Sequence, residues 1–162
     1  VKIENISLDV MYTPGHTDDS YCFAMKDQVF TGDTLLIRGT GRTDFQNGDP
    51  RAAYDSLFNK LLTLPDETLV YPGHDYITHN LEFTLDREPD NARAKTLLAE
   101  VGDQDPDSAL VSTLALEKEI NTFFRLHSPS VIAALREIFD DLPEAPDPKT
   151  VFIKLRLLRN DW

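Results

Sequence analysis

A mixed α/β body followed by a helical extension is the fold class this sequence predicts, and three observations predict it. Between residues 6 and 31, apolar side chains recur at the two-residue period of half-buried strands. An apolar stripe at helical spacing then interrupts the strands, starting at Asp49-Pro50. Beyond about residue 88 the alternation stops and helix patterns punctuated by prolines take over. With 162 residues, 41% of them hydrophobic, the chain can bury the core of one ordinary domain and a small helical appendage.

The elements follow in order. Ile6, Leu8, Val10 and Tyr12 alternate with other residues and predict one strand, stopped by Thr13-Pro14-Gly15. Tyr21–Met25 and Val29–Thr31 predict two more strands, joined by a Lys26-Asp27-Gln28 turn, and a meander is the simplest way to pair all three. Residues 34–48 read as a polar, unpacked loop with Gly39, Gly41 and Gly48, and long ordered loops of this kind tend to be functional. It carries Arg38, Arg42, Asp44 and Asn47. Asp49 reads as an N-cap with Pro50 at the first helical position, and Ala53, Leu57, Phe58, Leu61 and Leu62 form the stripe that Pro65 ends. Thr68–Tyr71 is a strand cut off by Pro72-Gly73. Helices are predicted over 91–101, 113–125, 129–139 from Ser128-Pro129 and 148–158 from Asp147-Pro148. A boundary near residue 88 therefore divides a body, 1–88, from a helical region, 89–162.

Sixteen Lys and Arg against 28 Asp and Glu give a net charge of −12, which opposes nucleic acid and anionic membrane at long range. No run approaches the roughly 20 apolar residues of a membrane span. The one cysteine, Cys22, has no internal partner, so a reducing cytoplasm is the expected compartment. Cys22 lies between Tyr21 and Phe23 without a basic neighbour and reads as a packed thiol rather than a nucleophile. Ser20 and Ser112 have no triad context. The chain opens at Val1 without an initiator methionine, directly into strand-like sequence, and further sequence upstream is expected.

Three turns share one design: Pro14-Gly15-His16-Thr17, Thr31-Gly32-Asp33-Thr34 and Pro72-Gly73-His74-Asp75. Taken singly, each is an ordinary turn with a capping or solvent-facing polar residue. Jointly, each follows a predicted strand and puts an ionisable residue just after a glycine, where side chains from separate segments can converge on a metal ion. Two His and one Asp suit zinc, iron or manganese. His79 reads as a helix-face residue and His127 as a surface residue.

The segments 13–17, Phe30-Thr31-Gly32-Asp33-Thr34-Leu35 and Tyr71-Pro72-Gly73-His74-Asp75-Tyr76 together resemble the second half of the αββα sandwich of metallo-β-lactamase-fold enzymes. The resemblance implies that His16, Asp33 and His74 bind metal, one or two ions of zinc or iron, with Asp33 bridging and catalytic. Residues 38–46, Arg-Gly-Thr-Gly-Arg-Thr-Asp-Phe-Gln, are similar to the loop of persulfide dioxygenases. Asn80-Leu81-Glu82-Phe83, Glu88-Pro89-Asp90-Asn91, Ser112–Ala115 and Asn121–Arg125 are similar to the C-terminal region of hydroxyacylglutathione hydrolases. That second likeness implies metal-assisted hydrolysis of a glutathione thioester, with Arg42, Tyr76, Arg156 and Arg159 holding the anionic glutathione half. Lys149, Lys154, Arg156 and Arg159 lie within one predicted helix as a basic cluster that such a ligand needs. The His-x-His-x-Asp-His run of the family's first half occurs nowhere in the chain. The preferred expectation is a metal-dependent glutathione-thioester hydrolase acting on a small molecule. A mononuclear-iron glutathione persulfide dioxygenase and an inactive remnant or glutathione-binding module are the alternatives. Oligomeric state is left open.

Overall fold

Five strands in the order β3-β4-β5-β6-β7 make the sheet that carries the candidate site. They are β3 (Asp9–Tyr12), β4 (Tyr21–Met25), β5 (Gln28–Gly32), β6 (Leu69–Pro72) and β7 (Ser112–Thr113). The structure is a computed structural model and describes residues 1–3, 5–101 and 111–162. β3, β4 and β5 form the expected antiparallel meander. A crossover through helix α1 (Pro50–Asn59) then returns β6 parallel to β5, and β7 closes the sheet antiparallel to β6. β7 lies in the region read as purely helical, because two residues are too few to show an alternation.

The strand predicted from Ile6 to Tyr12 is split. β1 (Lys2–Ile3) and β2 (Ile6–Ser7) form a separate two-stranded ribbon, and only β3 joins the main sheet. The face assigned to the core is also reversed. Met11, opposite the fully buried Cys22, packs against the core, while Val10 and Tyr12 are exposed. The reason is which side the helices cover: Cys22, Ala24, Val29 and Val70 lie under Ala53, Leu57, Phe152 and Leu155. The opposite face leaves Tyr12, Tyr21, Phe23 and Phe30 open to solvent, with Phe30 stacked on Tyr71 and Tyr12 against Tyr21.

Capping residues start the helices much as predicted. Asp49 accepts a hydrogen bond from the Arg51 N–H ahead of α1, and Asp147 accepts from the Thr150 N–H ahead of the last helix. Helix α2 (Ile77–Arg87) follows β6, and α3 (Ala92–Val101) packs on it. The segment 113–125 is not one helix. It divides into α4 (Leu114–Ile120) and a 3₁₀ turn (Thr122–Phe124), because the Asn121 side chain accepts from the Phe123 N–H and starts the chain afresh. α5 (Pro129–Arg136) stops short of residue 139, and α6 runs from Pro148 to Asp161. Val131, Leu135, Val151, Phe152 and Leu155, all beyond residue 88, share one apolar cluster with Val29, Leu57 and Val70 of the body. Among the described residues no helix is long and apolar enough to cross a membrane.

The stretch after β5 departs most from expectation. Residues 35–41 are buried, not a loose polar loop. Their polar backbone can be buried because side chains from other elements satisfy it. Cys22 is buried as expected, and burial pushes its thiol pKa up, with hydrogen bonds to Thr13 and Thr34 opposing the shift.

Candidate functional site

Three strand ends deliver three side chains to one place. β3 leads into Gly15, whose φ of +145° only glycine adopts comfortably, and a Cβ there would sit 2.3 Å from the Ala53 backbone. That close seat on α1 turns the chain so that His16 follows. β5 ends at Gly32, with Asp33 next, and β6 ends at Pro72-Gly73, with His74 next. β5 and β6 run parallel and side by side, so their C-terminal ends place Asp33 and His74 together.

The contacts are direct. His74 Nδ1 is 2.7 Å from Asp33 Oδ1, and His16 Nε2 is 3.6 Å from Asp33 Oδ2. A carboxylate oxygen and a carbonyl oxygen can only accept. His74 Nδ1 therefore donates to Asp33, and His16 Nδ1 donates to the Arg42 carbonyl at 2.7 Å. In the neutral ring this leaves His16 Nε2 as the lone-pair nitrogen on the side of Asp33. A backbone carbonyl fixing the far nitrogen in this way is how metal-ligating histidines are usually oriented. Phe45 packs edge-on to the His16 ring, with centroids 5.4 Å apart.

Two imidazoles and a carboxylate fit zinc or iron by donor chemistry. They are a partial shell, however. Among the described residues no group of three or more His, Cys, Asp or Glu side chains is disposed as a metal cluster, and His74 spends Nδ1 on Asp33.

A cavity of about 470 Å³ opens from this triad. All seven residues singled out in the sequence line it: His16, Asp33, Arg42, His74, Tyr76, Arg156 and Arg159. Tyr76 stacks on His74 with nearly parallel rings 5.4 Å apart. Arg156 and Arg159, one turn apart on α6, also line it. Lys149 and Lys154, expected in the same cluster, do not join it, for they pair with Asp55 and Asp141 on other sides of the helix.

The three arginines differ. Arg156 is 2% exposed, and its guanidinium donates to the Thr40 carbonyl at 2.7 Å and to Asn160 Oδ1 at 2.9 Å. Burial, reinforced by the charge of Arg159, pushes its pKa down to about 9. Arg159 is half-buried over the rings of Phe83 and Trp162, and burial lowers its pKa too. Among the described residues neither pairs with a carboxylate. Arg42 is exposed and held by Asp44, whose hydrogen bonds raise its pKa.

Sequence reasoning missed His79, Asn80 and Asn160, which also line the cavity. The signal was present: His79 and Asn80 stand three and four residues after Tyr76, and Asn160 four after Arg156, on shared helix faces. Thr40 and Phe45 gave no such signal, since only the path of the buried loop brings them there. His127 is exposed, as expected.

Comparison with known proteins matches residues 75–162 to a family model described as hydroxyacylglutathione hydrolase C-terminus, and residues 2–74 to the metallo-beta-lactamase superfamily. The hydroxyacylglutathione hydrolase of Nitrosococcus oceani is 57% identical over the whole chain. The chain spans only about three-fifths of the length of such relatives, 63% of that one and 61% of another. A crystal structure of ETHE1 from Myxococcus xanthus shares 36% identity at a TM-score of 0.57, covering 98% of this chain and 56% of that one. A di-iron-bound structure of TTHA1623 shares 28% identity at a TM-score of 0.50, covering 76% of this chain and 44% of that one.

Proposed function

From a chain that belongs to the hydroxyacylglutathione hydrolase C-terminal family, we propose the greater part of an enzyme that hydrolyses glutathione thioesters with a metal ion. The observation that carries this reading is that one cavity is lined by two unlike sets of side chains. One part offers two imidazoles and a carboxylate, another offers Arg156 and Arg159, which have no carboxylate partner among the described residues, and a thioester of an anionic tripeptide has one part for each.

His16, Asp33 and His74 would hold the ion, which supplies Lewis acidity towards a carbonyl oxygen when bound. Asp33 would help position the attacking water, and His74 orients its carboxylate by donating to Oδ1. The bond formed is from water oxygen to the acyl carbon, the bond broken is carbon to sulfur, and the departing glutathione thiolate takes up a proton. Arg159, Arg42 and Tyr76 face the glutathione half, while Arg156 adds charge to that end and holds Thr40. Zinc and iron both suit the donors, and a small glutathione-linked substrate suits the cavity.

The test is thioester cleavage under nitrogen. Purified full-length protein should release thiol from an S-hydroxyacylglutathione without oxygen, with zinc or iron bound in proportion to activity. Oxygen consumption with glutathione persulfide and no thioester cleavage would replace this reading with the dioxygenase suggested by residues 38–46. Glutathione binding with neither reaction would favour a binding module.

A further inference from the structure

The strap from Leu36 to Arg42, buried as far as Gly41, runs along the cavity, and a charge that does not line the cavity anchors it. The strap turns at Arg38, where φ is +65°, a left-handed conformation that is unfavourable for a non-glycine residue. Leu36 and Gly39 close the turn with two backbone hydrogen bonds of 3.1 Å. Side chains from three helical segments then grip successive carbonyls: Asn80 holds Ile37, Asn121 holds Gly39 and Arg156 holds Thr40. The Arg42 carbonyl in turn receives His16 Nδ1. At Gly41 the strap lies against the site itself, where an added Cβ would fall 2.0 Å from the Asp33 carbonyl oxygen and 2.9 Å from His16 Nδ1.

Glu117 of α4 is the anchor. Its side chain and that of Arg38 are both wholly buried. Oε2 accepts from the Arg38 backbone N–H at 2.8 Å and from Asn121 Nδ2 at 3.0 Å. Oε1 accepts from Ser112 Oγ at 2.6 Å and from the Arg38 guanidinium. Stability alone gives little reason for such a pair, because well-packed apolar residues often serve as well or better. What the carboxylate adds is direction, since it grips both the backbone and the side chain of the strained residue.

We propose that Glu117 is a positioning residue: through Arg38 and Asn121 it sets the strap, and the strap sets Arg42 and the orientation of His16. The link to catalysis rests on the function proposed above, but the mechanical claim does not. Glu117→Gln in the full-length protein should speed amide hydrogen exchange at Gly39–Arg42 by about tenfold or more, and weaken zinc affinity, read by chelator competition, by about tenfold, the usual scale for a partner that orients a ligand. Thioester turnover should show the loss in kcat rather than KM. Glu88→Gln is the control. It disturbs another buried carboxylate, paired with Arg125 and Ser128, and should lower the melting temperature while leaving strap exchange and zinc affinity unchanged.

A second variant separates positioning from charge burial. Arg38→Met combined with Glu117→Leu removes both charges and should regain stability relative to Glu117→Gln, yet the strap should still exchange fast. A folded Glu117→Gln or double variant with wild-type exchange over 39–42 overturns the proposal. So does unchanged zinc affinity once exchange has accelerated. Absent thioester cleavage by the wild type would remove the proposed function and leave the exchange result to decide this one.

Discussion

The two ends of the cavity handle charge in opposite ways. At the His16–Asp33–His74 end the carboxylate already has imidazole partners, and the side chains are partly open, 19% for His16 and 54% for His74. At the Arg156–Arg159 end two cations are drawn into the protein with neutral acceptors and aromatic faces for company. Burying a cation without a carboxylate is costly, and the depressed pKa of Arg156 records that cost. Under the proposed function, one end would carry the reaction and the other would receive an anion, which would relieve the buried charge.

Four substitutions break or sharpen this contrast. Asp33→Ala removes the carboxylate that both imidazoles face and should lower kcat for thioester cleavage by about 10²–10³-fold with small change in KM, as read by steady-state kinetics. Arg159→Ala acts at the receiving end and should do the reverse, raising KM about 10-fold to 100-fold with kcat nearly preserved. If both variants changed kcat alike, the division of labour would be wrong.

Arg156→Met tests the buried charge through pH. Its pKa is lowered to about 9 on folding, so above that value the unfolded chain holds the proton more tightly. Wild-type stability should then rise relative to Arg156→Met as pH increases through about 9. Urea unfolding at about pH 8 and about pH 10 should show a relative gain of about 1 kcal/mol, and a flat difference would contradict the burial of a charged guanidinium. Arg42→Ala should have the smallest effect, about two-fold to five-fold on KM, because Arg42 is exposed and Asp44 already occupies it.

The same contrast explains how much could be read from the chain. His16, Asp33 and His74 each follow a glycine at the end of a strand, so local turn chemistry marked them, whereas the parallel pairing of β5 with β6 that brings Asp33 and His74 together emerged only in the fold. Arg156 and Arg159 were visible as a pair on one helix face. Their neighbours were not: nothing local distinguishes Arg156 from Lys154, yet one is buried beside the cavity and the other pairs with Asp141. The exposed outer face of β3 was misread for a related reason. Alternation shows that a strand has two faces, but the helices above Met11 and Cys22 decide which is covered.

The β3-β4-β5 meander, the helix starts at Asp49 and Asp147, and the three ionisable turns were determined by the sequence itself, because capping, glycine and periodicity act over a few residues. Tertiary structure alone decided that residues 35–41 are a buried strap and that Glu117 meets Arg38 across 79 positions of chain. The physical reason is that a polar backbone may be buried only where distant donors and acceptors satisfy it, and no local pattern records which distant groups arrive.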